Sequence, residues 1–435
     1  MRFLGLGDTC DLAALYHRLV SDGHEVRVEV TEPMCHDVMA GIIRRIDDWR
    51  AQLPWLREAG DEGIILVENV AHGRGALADE LRREGYHVIG GSAWGDRLEN
   101  DRGFAEQVLR EIGLRTVPTH AFRTFAEAEA FIVGYPARYV SKLNGPGLGA
   151  AGTYVGRLAD GRDVAAVLRA QRRILGGDGN GLVLTEHVAG IELGVGAYFN
   201  GRRFVRPACL DWEHKRFFPG DLGENVGEMG TVATFERSEW FFEQTLARLE
   251  PMLATNGYVG YINLNTIVNA DGIWPLEFTC RFGYPGFAVL EPLQALPWAD
   301  LFEKLATGRL GRLPVREGWS AGIVLTTRPF PYIRHYVNEP TALPLLFEPP
   351  LTPGEQRHFH PGELARDGEE WLTAGYHGWT GVVTGTGASV GEARNAALGL
   401  ALRATVPNLR YRQDIGQRQI DGELAQLEAW GMFGP

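Results

Sequence analysis

Two rhythms of apolar and polar positions alternate over the first hundred residues. "RFLGLG" (2–7), "HEVRVEV" (24–30), "GIILVEN" (63–69) and "YHVIGG" (86–91) have the short apolar runs or strict alternation of strands. Residues 9–21 and "ALADELRREG" (76–85) carry apolar positions at helical spacing. That order predicts a parallel sheet with helices on its faces. The pattern then predicts a helix at 101–113, strands at 137–143 and 152–158, a helix at 163–175 and a strand at 181–187. Between 190 and 280 the apolar runs lengthen into hairpins. One turns at Asn200-Gly201, and a second, "GYINLNTIVNADGIWPLEFTCRF", turns at Ala270-Asp271-Gly272. Residues 308–320, rich in Gly, Arg and Pro, have the composition of a linker. A last unit, 321–425, mixes strands ("GIVLTT", "GVVTGTG") with a helix at 389–404.

A chain of 435 residues is long enough for two to four domains. Its net charge of −12 argues against non-specific contact with nucleic acid or an anionic membrane, because the long-range field repels phosphate. Four scattered cysteines without CxxC spacing suggest neither a zinc site nor a disulfide framework. With no basic-then-apolar leader and no run of about 18 apolar residues, a cytoplasmic protein is expected.

Three stretches could carry chemistry. Lys142 ends a strand and precedes "LNGPGLGAAG", where Gly145, Gly147, Gly149 and Gly152 free the backbone to aim N–H groups at phosphate oxygens. In "LVLTEHVAGIELGV", Glu186 and Glu192 flank a break that exposes backbone groups to an adenine edge, with a carboxylate following for ribose hydroxyls. In the second hairpin Asn265 and Glu277 lie equally far from the turn, so they face each other and can share a hard cation such as Mg²⁺. Arg281 lies four residues on and can fork around a carboxylate or phosphoryl group. "LDWEHKRFFPGDLGENVGEMGT" (210–231) sets Glu213, His214, Lys215 and Arg216 ahead of a glycine-rich run too irregular for long regular structure. "HFH" at 358–360 lacks a third metal ligand nearby, and "GLGD" at 5–8 lacks the last glycine of a dinucleotide fingerprint.

The order of these motifs resembles the ATP-grasp ligases, and among them the phosphoribosylamine–glycine ligase family. "WEHKRFFPGDLGENVGEMG" echoes its DHKR…GPNTGGMG segment, "EFTCRFGYPG" its EFNCRFGDPE, "KLNG" its phosphate loop, "TEHVAGIE" its hinge and "RQDIGQR" its closing RKDIGxR. The resemblance implies an ATP-grasp domain at 101–312 with a small lobe near 118–187. It would be preceded by a Rossmann-like substrate-binding α/β domain (1–100) and followed by a mixed α/β domain (313–435). The cofactors would be ATP and Mg²⁺ or Mn²⁺. Lys142, the loop glycines, Glu186, His187, Val188 and Glu192 would hold the nucleotide, and Asn265 and Glu277 the metal. Arg281, His214, Lys215 and Arg216 would be catalytic, and Asn225, Gly227, Met229 and Gly230 would approach the substrate.

The departures from the family pattern shape the expected function. Thr279 replaces a metal-binding Asn, Thr153 a loop lysine, Tyr284 and Gly286 an acidic pair, and Glu228 a glycine. The loops "GDTCDLA" and "VENVAHG" replace those that form the family's phosphoribosylamine pocket. The first offers Asp8 and Asp11 where a phosphate needs donors; the second still supplies His72 and Arg74. The expectation is an ADP-forming carboxylate–amine ligase working through an acyl phosphate, with an amine other than phosphoribosylamine. The alternatives are the purine-pathway ligase itself and an ATP-binding pseudoenzyme. Its partners would be small-molecule carboxylates and amines, and its state a monomer or weak homodimer.

Overall fold

The computed structural model describes residues 1–68, 73–144, 152–175, 177 and 181–434. Five strands, β1 (Arg2–Gly7), β2 (Glu25–Val30), β3 (Arg44–Ile46), β4 (Gly63–Val67) and β5 (His87–Ile89), form one sheet in the order β3-β2-β1-β4-β5. Every pairing is parallel, as the alternation of strand and helix required. β4 is apolar throughout and wholly buried, because helices cover both faces of such a sheet. The strand order reverses between β1 and β4, so the crevice beyond their carboxyl ends is where this fold admits ligands. The predicted helix at 9–21 begins only at Ala13. Cys10 has φ of +66°, a value no helix accepts.

The small lobe is antiparallel: β6 (Thr119–Phe122), β7 (Tyr139–Leu143), β8 (Thr153–Val155) and β9 (Leu182–Glu186) in the order β6-β9-β7-β8. Helices Phe125–Gly134 and Arg162–Leu175 supply Phe125, Ile132, Val164 and Leu168 to a core separate from the main one. The first of these helices went unpredicted, although Thr124 and Glu127 form a complete capping box at its start.

The remaining chain builds on one broad sheet. β10 (Ile191–Asn200) and β11 (Phe204–Glu213) are followed by a small hairpin, β12 (Arg216–Phe218) and β13 (Leu222–Asn225). Then come β14 (Gly230–Thr234), β15 (Val259–Asn269), β16 (Gly272–Thr279) and β17 (Trp319–Thr326). β18 (Pro344–Phe347), β19 (Phe359–Pro361), β20 (Leu364–Asp367), β21 (Glu370–Thr373), β22 (Trp379–Gly387) and β23 (Ala404–Thr405) complete the set. Eight of them run β16-β15-β10-β11-β14-β17-β22-β19, so strands on both sides of residue 312 share a ladder. The segment 308–320 is therefore no free linker. Leu310 and Leu313 are buried, Leu313 N–H donates to the Arg206 carbonyl at 2.7 Å, and β17 starts inside the segment.

Both expected hairpin turns form. Gly201 takes φ of +86° while the Asn200 side-chain oxygen accepts from the Arg202 and Arg203 amides. At the second turn Asn269 pairs with Gly272, leaving Ala270 and Asp271 as the two turn residues. Among the described residues no helix is long and apolar enough to cross a membrane.

Candidate active site

Alternate residues of a strand share a face, and the register of the broad sheet decides which polar side chains meet. Gly194 on β10 is paired with Asp211 on one side and Asn265 on the other. Asn265 in turn stands opposite Glu277, the relation expected from the hairpin's symmetry. Asp211, Glu213, Asn263, Asn265, Glu277 and Glu192 thus floor a cavity of about 710 Å³, roofed by Lys142 and the hinge of the small lobe. A Cβ on Gly194 would lie 2.1 Å from Asp211 Oδ1 and 2.9 Å from Asn265 Oδ1. Only glycine lets those two oxygens converge there.

One cation organises the floor. Lys215 Nζ is 2.7 Å from Glu192 Oε1, 3.1 Å from Glu277 Oε1 and 3.3 Å from Glu213 Oε2. Burial works against its charge, but the three carboxylates outweigh burial and raise its pKa well above the usual value. Lys215 in turn holds Glu277 down to about 2. Deeper in, burial first and Glu213 second push Asp211 up to about 8. Burial, with Glu213 and Asp211 beside it, also raises Glu228 well above the carboxylate range. Asn263 Nδ2 donates to Asp211 Oδ2 at 2.6 Å, and Asn265 Nδ2 to Glu213 Oε2 at 3.1 Å. The opposite oxygens, Asp211 Oδ1, Asn263 Oδ1 and Asn265 Oδ1, and also Glu228 Oε1, are buried without a hydrogen-bond donor. Oxygens that only accept, converging without donors, suit a hard cation, so the residues present fit magnesium at Asn265 and Glu277.

The expected site residues divide. Lys142, Glu186, His187, Val188, Glu192, Lys215, Asn225, Gly227, Asn265, Glu277 and Arg281 all line the cavity. Gly145, Gly147 and Gly149, like His72, lie outside the described residues. His214, Arg216, Met229 and Gly230 are not brought to the cavity. Strand-like alternation from Glu213 turns Glu213 and Lys215 inward and His214 and Arg216 outward. His214 is buried against the C-terminal segment, where its Nε2 accepts from the Gly416 amide at 3.2 Å, and burial lowers its pKa to about 3. The Arg216 guanidinium donates to the Gly223 carbonyl. Met229 is wholly buried with Phe217 and Phe330, and its amide donates to the His214 carbonyl, while the Gly230 carbonyl accepts from the His214 amide.

Glu192, expected on the ribose, is held by Lys215 instead of standing alone. At the hinge, the Glu186 and His187 amides are already given to the Pro118 and Arg138 carbonyls. The register nevertheless places Pro118 opposite Glu186, and a proline returns no N–H, so the Glu186 carbonyl keeps its capacity to accept. Lys142 reaches under the lobe toward Glu277 and Arg102, with burial lowering its pKa. Arg281 Nε lies 3.0 Å from Glu99 Oε1, and Glu99 also accepts from the Cys280 amide at 2.8 Å. At the carboxyl end of β1 in the first sheet, Arg74 is 2.7 Å from Asp8 and 3.8 Å from Glu29. His358 and His360 both contact the Thr384 hydroxyl, and His360 also meets Glu291.

Sequence reasoning overlooked Asp211, Asn263 and Glu99. A signal for the first two existed: polar residues two apart within apolar strands, "DWE" at 211–213 and "NLN" at 263–265, mark one wet face. Glu99 gave none, since its helix meets Arg281 only in three dimensions.

Over residues 100–287 the chain matches the family described as phosphoribosylglycinamide synthetase, ATP-grasp (A) domain. The central domain has the ATP-grasp fold. Similar chains extend over nearly the whole length of this one. It is 28% identical over 385 residues to phosphoribosylamine–glycine ligase of Nostoc sp., covering 86% of this chain and 88% of that one. It is 26% identical over 441 residues to the same-named protein of Mycobacterium tuberculosis, covering 97% and 96%. In three dimensions it superposes on phosphoribosylamine–glycine ligase of Thermotoga maritima with a TM-score of 0.70 at 22% identity, covering 95% of this chain and all of the other. The biotin carboxylase of Campylobacter jejuni shares the fold more distantly, with a TM-score of 0.59 at 13% identity, covering 97% and 95%.

Proposed function

We propose that this chain is an ATP-dependent, ADP-forming ligase that joins a carboxylate to an amine through an acyl phosphate. The observation that carries this reading is the Lys215–Glu192–Glu213–Glu277 constellation beneath Lys142, inside an ATP-grasp cleft. A pseudoenzyme that only held ATP would have no use for so costly a buried charge array. Lys142 would meet the ATP phosphates, and the Glu186 carbonyl and Val188 the adenine. Asn265 and Glu277 would hold magnesium, which when bound neutralises phosphate charge. Lys215 and Arg281 would steady the carboxylate as its oxygen attacks the terminal phosphate. The amine then displaces phosphate, a far better leaving group than oxide. Positioning and fixed charge supply the rate. The reading carries with it a cytoplasmic protein acting on small molecules, as a monomer or weak homodimer.

The relatives' names support phosphoribosylamine and glycine as the substrate pair better than any other. A second reading, a different amine, keeps one specific observation. Arg74, the cation a phosphate would need in the crevice of the first sheet, is paired with Asp8 and lies near Glu29. ADP release from purified protein, given glycine with phosphoribosylamine generated in the assay and then other amines, decides between them. Release with no amino acid and amine at all would end the ligase reading.

A further inference from the structure

The chain between β21 and β22 wraps one buried carboxylate. Glu363, 6% exposed, accepts from the amides of Tyr376, His377, Gly378 and Trp379 at 2.6–3.3 Å. Gly375 makes the wrap possible, since its φ is +67° and a Cβ there would lie 2.5 Å from Glu363 Cδ. Glu363 Oε1 also lies 2.9 Å from His377 Nδ1. A carboxylate only accepts, so Nδ1 carries the hydrogen and Nε2 keeps its lone pair. Nε2 has no hydrogen-bond partner among the described residues, and the side chain is 22% exposed. Ring contacts with Tyr376 at 4.1 Å and Trp379 at 4.7 Å fix the imidazole.

This imidazole stands where the crevice of the first sheet meets the cleft. Trp379 stacks in turn, at 4.9 Å, on Tyr284, which lines the cavity. A Cβ on Gly362 would lie 3.3 Å from Tyr284 Oη, one residue from Glu363. Asp11, in the loop after β1, faces both sides: burial raises its pKa, and the charges of His377 and Arg281 act against that rise.

We propose, on the basis of the ligase reading, that His377 is the general base for the attacking amine and Glu363 its positioning residue. As the amine nitrogen attacks the acyl carbon, one N–H bond breaks and the proton passes to Nε2. The C–N bond forms, the bond from carbon to phosphate oxygen breaks, and that oxygen leaves with the electron pair. The imidazolium then gives its proton to the departing phosphate and is ready again. Attack of a carboxylate on ATP releases no proton, so the base acts only in the second half of the reaction. Burial works against a charged ring, but Glu363, Asp11 and Glu32 outweigh it and raise the His377 pKa. Arg334, the cation beside this loop, is turned to the Gly375 carbonyl at 3.1 Å.

The test uses the whole enzyme with the substrate pair that releases ADP in the assay above. His377→Gln should lower steady-state turnover at least about a hundredfold, while rapid quench still finds a first-turnover burst of ADP. Wild-type kcat/KM for the amine should show an acid limb with its midpoint above 6.5, the ordinary histidine value. That limb should be missing from His377→Gln and lie at lower pH in Glu363→Gln, where a raising charge is lost. Turnover of His377→Gln within tenfold of wild type, or loss of the burst along with turnover, overturns the base. Nitrogen-15 NMR of the substrate-free protein gives a second reading, with the His377 signal identified by its loss in His377→Gln. The neutral ring should carry its proton on Nδ1; a proton on Nε2 overturns the proposal. ADP release with no pair at all would remove the ligase reading instead, and the base with it, whatever the tautomer.

Discussion

Lys215 Nζ lies 3.1 Å from Glu277 Oε1, so a residue just after β11 is tied across β10 and β15 to the edge strand β16. The same ammonium reaches Glu192 and Glu213, which makes it the electrostatic keystone of the cleft floor. Lys215→Met should lower stability by about 2 kcal/mol, the upper range for buried pairs being reduced by the half-exposed Glu277. Magnesium should then stabilise the variant more than it does the wild-type protein, since the carboxylates have lost their own cation. Thermal melts with and without 5–10 mM magnesium, roughly the range that saturates a weak site, check this. An identical magnesium response in the two proteins would refute the keystone role.

Glu277→Gln should abolish ADP formation and weaken Mn²⁺ binding at least about tenfold, because a neutral amide replaces the charged ligand. The fold should persist, for Glu277 sits half-exposed at the end of an edge strand. Normal turnover by this variant would dismiss the metal assignment.

Arg281 and Glu99 separate two roles within one pair. Arg281→Ala should cost at least about a hundredfold in rate if its guanidinium meets the transferring group. Glu99→Gln should cost stability, because its single oxygen can serve only one of Arg281 Nε and the Cys280 amide, yet much less rate. Equal rate losses for both variants would mean that Arg281 acts only when Glu99 orients it.

The buried His214 gives a pH signature unrelated to turnover. Its folded pKa of about 3 lies below the ordinary value of 6.5, so between these limits the unfolded chain takes up a proton that the folded chain refuses. Stability is therefore full above about pH 6.5 and falls as pH drops toward 3, by up to about 4 kcal/mol. His214→Gln retains an acceptor for the Gly416 amide but does not titrate, so its urea midpoint should fall less between pH 7 and pH 4. Parallel declines in the two proteins would show that other groups dominate.

Strand periodicity made much of this architecture legible. Four of the five parallel strands came from patterns such as the alternation in "HEVRVEV" and the apolar run "GIILV", while β3, with two arginines in three residues, gave no such pattern; the Asn265–Glu277 pairing came from the symmetry of a hairpin about its turn. Position along the chain did not reveal direction where strand and loop merge. His214 and Arg216 sit in a charged tetrad whose alternation turns half of it away from the cavity, and a motif reading treats all four alike. Tertiary relations were also hidden. Nothing local to Arg281 names Glu99, 182 residues away, and nothing local to Asp8 tells that Arg74 will be drawn to it. The segment 308–320 misled for a different reason: glycine and proline suggested freedom, while two leucines anchor it in the core.

The shared ladder between β14 and β17 has a mechanical consequence. It fuses the carboxylate floor and the C-terminal strands into one slab, whose backbone hydrogen bonds would have to break for either part to swing away. The lobe carrying Lys142 has its own sheet and its own core, and joins the slab through the short run between Glu186 and Ile191. The molecule is thus built like a vice with one separately cored jaw: a shift of the lobe would break none of the ladder bonds that set the spacing of the carboxylates beneath it.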